Sequence, residues 1–130
     1  MDSFNDVLDA IQSYEEEYGR VVDQGPTELT SIRALYAENK PFPLANTQGV
    51  YLIFGDRRQL LYIGKASGRR FIGNRLYSWF GGKEYCLAGN WREEPMFISC
   101  ISTKNVWEPS SLEEYLIIKL KPSENIVGRS

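Results

Sequence analysis

The sequence predicts an α+β domain, a small three-stranded antiparallel sheet flanked by helices. Three observations carry that expectation. Two short runs of β-branched, aromatic and aliphatic residues, at 50–54 and 59–63, stand either side of a charged turn, GDRR, and read as a hairpin. A third run, MFISCIS at 96–102, reads as another strand. The remaining apolar residues recur at helical spacing behind plausible start signals, so helices cover the sheet.

In chain order, Phe4, Val7, Leu8, Ile11 and Tyr14 share one helical face, with Asp2 or Ser3 as the N-cap. After the Gly25-Pro26 break, Leu29, Ile32, Leu35 and Tyr36 mark a second helix. The segment KPFPL at 40–44 reads as an extended connector, because proline pushes its predecessor out of the helical region. There an acidic two-helix arm, residues 1–46, hands over to a core domain, residues 47–130. Beyond the hairpin, residues 67–80 set Phe71, Leu76, Trp79 and Phe80 among Arg69, Arg70 and Arg75, a basic-faced helix ended by Gly81-Gly82. Residues 83–95 read as loop. A last helix starts at Glu108-Pro109 and runs to Leu120, where Lys121-Pro122 stops it. The order is α-α-β-β-α-β-α.

A chain of 130 residues with 42% hydrophobic and 25% charged residues is ordinary globular material for one domain. No stretch approaches the ~20 apolar residues of a membrane-crossing helix, and the acidic, amphipathic N-terminus is unlike a signal peptide. Cys86 and Cys100 form no framework, so reduced thiols and a cytoplasmic location are expected. The chain has no histidine, which excludes Ser-His-Asp triads, Cys-His dyads and His-containing zinc sites. Acid–base work must fall to Tyr, Lys, Glu or Asp. Charge is divided unevenly: residues 1–48 carry three cations against nine acids, and residues 49–130 carry twelve cations against eight acids. The second part suits a polyanion; equally, both parts are simply solvated surface.

The hairpin carries Gly49-Val-Tyr51 on one arm and Tyr62-Ile-Gly64 on the other. With a loop of two or four residues, Phe54 faces Gln59 and Tyr51 faces Tyr62 directly, on one side of the sheet; an odd loop separates them. This pair of tripeptides resembles the paired motif of the GIY-YIG nuclease family, in which Val for the middle Ile is a usual variant. Lys65-Ala-Ser follows the second motif as in excision-repair members of that family. The stretch led by Arg75, RLYSWF, resembles the family's arginine helix. Leu112 to Pro122 with Glu113 resembles its glutamate helix, and Pro122-Ser-Glu-Asn125 its closing Pro-x-x-Asn. The likeness spans residues 47–127. It departs in two places: Arg75 lies thirteen residues past Tyr62 rather than ten, which leaves Arg69 or Arg70 as alternatives, and Trp79 stands where the family commonly has His or Tyr.

The resemblance implies hydrolysis of phosphodiester bonds in DNA with a single divalent cation, Mg²⁺ or Mn²⁺, held by Glu113. Arg75 would grip phosphate oxygens through its fork of donors. Tyr51 or Tyr62 would orient or deprotonate the water, with Lys65, reaching in from the turn, and Arg75 lowering the phenol's pKa. Gly64 would let the phosphate approach the backbone, and Asn125 would brace the site. Trp79 cannot accept a proton; Tyr77 is a substitute on the wrong side of its helix. Two blander readings remain open: a weakened nucleic-acid-binding module, or an acidic protein-interaction protein. The acidic arm, poorly suited to DNA, would pack on the domain, support a homodimer or bind a protein partner.

Overall fold

The structure is a computed structural model that describes residues 3–125; Asp2, the alternative cap, lies outside them. Nine elements follow in order: α1 (Ser3–Tyr18), β1 (Val22–Gln24), β2 (Thr30–Ser31), α2 (Ile32–Ala37), β3 (Gly49–Phe54), β4 (Leu60–Ala66), α3 (Ile72–Phe80), β5 (Phe97–Thr103) and α4 (Glu108–Leu120). The fold is α+β, a small antiparallel sheet flanked by helices. The expected strands form β3, β4 and β5, with β3 in the middle, and two short strands from the N-terminal part extend the sheet beyond β5. At three and two residues, β1 and β2 are too short to show a period-2 pattern. They exist because β5 offers unpaired backbone groups to them.

All six residues of β3 are buried, because both faces of the sheet are covered. Alternate side chains therefore go to two cores. Val50, Leu52 and Phe54 pack with Ile63 and Ile101 beneath α1 and α4, where Val7, Ile11, Leu112 and Leu116 close the layer. Tyr51 and Ile53 pack with Tyr62, Ile98 and Cys100 beneath α2 and α3, against Ile32, Leu35, Leu76 and Phe80. A strand buried on both sides reads as a continuous apolar run, as GVYLIF does.

The hairpin departs from the expected register. Phe54 faces Leu60, so five residues form the loop, and Ile53 faces Tyr62, which leaves Leu61 as the extra residue of a bulge. An odd loop alone would send the two tyrosines to opposite faces. The bulge adds a second one-residue offset and restores the parity. Tyr51 consequently faces Gly64, not Tyr62, and Tyr62 sits one pair along on the same face.

Helix α3 starts at Ile72, five residues later than residue 67, where the pattern placed it; residues 67–70 form a turn in which Arg70 N–H donates to the Ser67 carbonyl at 3.2 Å. Leu29 precedes α2 for a similar reason: Thr30 and Ser31 pair with Ile98 and Phe97, and the Ser31 side chain caps α2 by accepting from Ala34 N–H at 3.2 Å.

The N-terminal segment is tied to the rest by packing and by hydrogen bonds. Tyr14 of α1 meets Tyr115 of α4 edge-on at 5.0 Å between ring centroids. Glu15 Oε2 accepts from the backbone N–H of both Val21 and Val22 at 3.0 Å, joining α1 to β1. Thr27 Oγ1 accepts from Cys100 N–H at 2.9 Å, and its carbonyl accepts from Ser99 Oγ at 2.6 Å. Glu15→Ala strands two backbone donors next to the core. It is expected to lower unfolding free energy by about 1–3 kcal/mol, read as a reduced urea midpoint.

Candidate active site

Glycine at position 64 explains the pairing of tyrosine with glycine. A Cβ built there would stand 2.2 Å from Tyr51 Cζ and 2.3 Å from its Oη. The Tyr51 ring lies across the bare backbone of Gly64, so the space expected for a phosphate is occupied by the phenol itself. Tyr51 is fully buried and Tyr62 is 1% exposed. Their ring centroids are 6.2 Å apart at 33°, a side-by-side pair reached diagonally across the strands.

Helix α3 supplies the next groups. Trp79 Nε1–H donates to Tyr51 Oη at 3.1 Å. The indole packs edge-on against Tyr62 at 5.5 Å and Trp91 at 5.2 Å. Trp79 and Trp91 are half-buried and pack against the core cluster that holds the fully buried Phe80. Tyr77 points elsewhere, its ring 5.0 Å from Phe42. Arg75, one turn before Trp79, lies close enough to Tyr51 and to Glu113 to favour the charged form of both. Its Nε is buried with no hydrogen-bond partner, and it makes no ion pair among the described residues. Arg69 and Arg70 are exposed in the turn ahead of α3. The guanidinium next to the phenol is therefore that of Arg75.

Glu113 comes from α4, on the other side of the sheet, and is only 7% exposed. Burial foremost pushes its carboxyl pKa above the usual range; Lys65 and Arg75 oppose that shift and Glu114 adds to it. Its oxygens accept no hydrogen bond and enter no ion pair among the described residues. A desolvated carboxylate left open in this way suits a cation. Among the described residues no group of three or more acidic or thiol side chains gathers to hold a metal. A lone carboxylate of this kind would leave most of a cation's shell to water.

Lys65 does not reach in from a turn. It lies within β4 opposite Val50, on the α4 side, and its Nζ donates to Ser110 Oγ at 3.1 Å. Asn125 braces the strand bearing the second motif. Its Nδ2–H donates to the Ile63 carbonyl at 2.9 Å and its Oδ1 accepts from Ile63 N–H at 2.8 Å. Glu124 N–H donates to the Leu61 carbonyl at 2.7 Å. The segment after α4 thus satisfies the free edge of β4.

The expected lowering of the phenol's pKa does not occur at Tyr51. Burial, the largest influence, raises it; the Trp79 hydrogen bond and the charge of Arg75 pull the other way without overcoming it. At neutral pH Tyr51 is a neutral phenol. The sequence pointed to Arg75 and Lys65 but carried no measure of how deeply the ring would be buried.

The groups meet around β4. Tyr51, Arg75 and Trp79 approach from the α3 side, Glu113 and Lys65 from the α4 side, and the charge of Arg75 acts on both Tyr51 and Glu113. Comparison with known proteins finds a partial likeness in sequence. The chain is similar to UvrABC system protein C. It is 35% identical to that of Helicobacter pylori (strain P12) over 95 residues, 66% of this chain and 16% of that protein. Against that of Desulforudis audaxviator (strain MP104C) it is 36% identical over 92 residues, 68% of this chain and 14% of the relative. The chain thus spans about a sixth of the length of these relatives. No protein-family model matches it.

Two outcomes are expected. Gly64→Ala drives a methyl group into the Tyr51 ring and should destabilise the fold by about 1–3 kcal/mol, measured by urea unfolding. Glu113→Gln should raise the thermal midpoint at neutral pH. The folded-state pKa of Glu113 is raised, so its ionised form weakens the fold above that pKa; the difference between the two chains shrinks as pH falls through it and is gone below the unfolded-state value.

Proposed function

We propose that this chain is a GIY-YIG nuclease domain, a divalent-metal-dependent endonuclease that hydrolyses phosphodiester bonds in DNA. The observation that carries the proposal is the convergence around Gly64. A buried phenol, a guanidinium whose Nε lacks a partner and one buried carboxylate come from three separate elements, and the charge of the guanidinium acts on both acids. The similarity to UvrABC system protein C supports the same reading.

A phosphodiester needs charge neutralised on its oxygens, a held water and a stabilised leaving oxygen. Arg75 would donate to the non-bridging oxygens, with its buried Nε finding there the acceptor it lacks. Lys65, steadied by Ser110, adds positive charge on the opposite side of β4. Glu113 would hold Mg²⁺ or Mn²⁺, which when bound supplies Lewis acidity and charge neutralisation. Tyr51 orients the attacking water through its hydroxyl, and Tyr62 stands beside it. Arg75 alone leaves Tyr51 a neutral phenol; the further positive charge of a bound cation would favour the phenolate, the form that takes the proton of the water. Asn125 keeps β4 straight at Ile63, next to Tyr62. Arg69 and Arg70, exposed near the entrance to α3, extend the cationic surface for the polyanion.

One observation favours a second reading. At the position where the resembled family commonly has a proton acceptor stands an indole that only donates, as a module that binds DNA without cutting it would tolerate. A plasmid-nicking assay with Mg²⁺ or Mn²⁺ separates the two. The native chain is expected to convert supercoiled plasmid to nicked circles. Glu113→Ala should abolish this, and Arg75→Ala should slow it roughly 10²–10³-fold. Salt-dependent retention of DNA without cleavage would establish the binding module instead. Absence of both cleavage and retention would favour a protein-interaction role.

A further inference from the structure

We propose that Trp79 is a positioning residue for the reaction, whose indole N–H fixes the hydroxyl oxygen of Tyr51 in its working orientation. The inference rests on the hydrolytic reading of the pocket and deepens it. A lone tryptophan on an amphipathic helix is ordinary core material, and α3 already carries Leu76 and Phe80 for that purpose, both fully buried. Trp79 differs in where its single polar atom goes. Its Nε1–H is aimed at Tyr51 Oη, 3.1 Å away, the same phenol on which Arg75 and Glu113 act.

The rest of the indole is held from three directions. Tyr62 and Trp91 abut it edge-on, with centroids at 5.5 Å and 5.2 Å. Gly89 closes the outer side: its φ of +90° puts it in the left-handed region, and a Cβ there would come within 2.8 Å of Trp79 Cζ3. Two further bonds fasten the loop that carries Gly89. Ala88 N–H donates to the Trp79 carbonyl at 2.8 Å, and Trp91 Nε1–H donates to the Ala88 carbonyl at 2.8 Å. An indole clamped on ring and backbone delivers its N–H along one fixed line.

That line has a chemical consequence. A phenol oxygen receiving an N–H from one side cannot turn its own hydrogen that way, so its hydroxyl and remaining lone pair are directed away from the indole. The donor also favours the phenolate, as any hydrogen bond to a charged form does. An indole does both without itself exchanging a proton. Proton acceptance is left to Tyr51, and Trp79 serves where a histidine or tyrosine would have had a second option.

The test uses the whole chain and two substitutions. Trp79→Phe keeps an aromatic ring in the clamp and removes the donor. In plasmid nicking at varied DNA concentration it should lower kcat roughly 10- to 100-fold with KM changed less than about twofold. Proton–nitrogen correlation spectra give a readout independent of activity and of how Trp79→Phe folds. The indole N–H signal of Trp79 should move in Tyr51→Phe, whereas that of exposed Trp107 stays in place. A kcat unchanged in Trp79→Phe, or an indole signal indifferent to Tyr51→Phe, overturns the assignment and leaves the nuclease reading standing. A native chain that cuts nothing with Mg²⁺ or Mn²⁺ removes both.

Discussion

The contact between the Tyr51 ring and the bare backbone of Gly64 is the constraint on which the site depends. It is set by register: Tyr51 and Gly64 are directly opposed across β3 and β4. The ring laid over the glycine fixes where the phenol hydroxyl sits, beside Trp79. Arg75 of α3 acts both on that phenol and on Glu113 of α4, although the two belong to different sides of the sheet. Any side chain at position 64 would move the phenol and part it from Trp79. The glycine is needed for room, not for backbone freedom.

Around that contact the fold spends its rigidity unevenly. β3 is buried along its whole length and cannot shift without disturbing both cores. β4 is an edge strand, and its outer backbone is satisfied by Glu124 and Asn125 rather than by another strand. The tie at Ile63 holds the strand carrying Tyr62, Gly64 and Lys65 close against β3. On the far side of the sheet, β1 and β2 do the same for β5. The acidic N-terminal segment thus contributes strands and a packed helix to the same two-faced core.

The electrostatics follow from burial more than from the charges themselves. Arg75 and Lys65 pull Glu113 toward its ionised form, and Arg75 and Trp79 pull Tyr51 the same way, yet desolvation leads in both. An incoming phosphate and cation would change that balance, since each supplies the counter-charge that one of these groups lacks.

Much of this was legible in the sequence, for a local reason. Apolar spacing along a few residues marks α1, residue type marks the three main strands, start and stop signals mark α4, and the order of short motifs singled out Tyr51, Tyr62, Lys65, Arg75, Glu113 and Asn125. Tertiary structure alone decided the rest. The pairing of Tyr51 with Gly64 came from a five-residue loop and a bulge at Leu61, two offsets that cancel only when the strands are docked. β1 and β2 form because β5 has an edge to cover. The raised pKa of Tyr51 comes from its burial. Residue type and spacing are properties of the chain, whereas register, edge pairing and desolvation exist only between segments brought together.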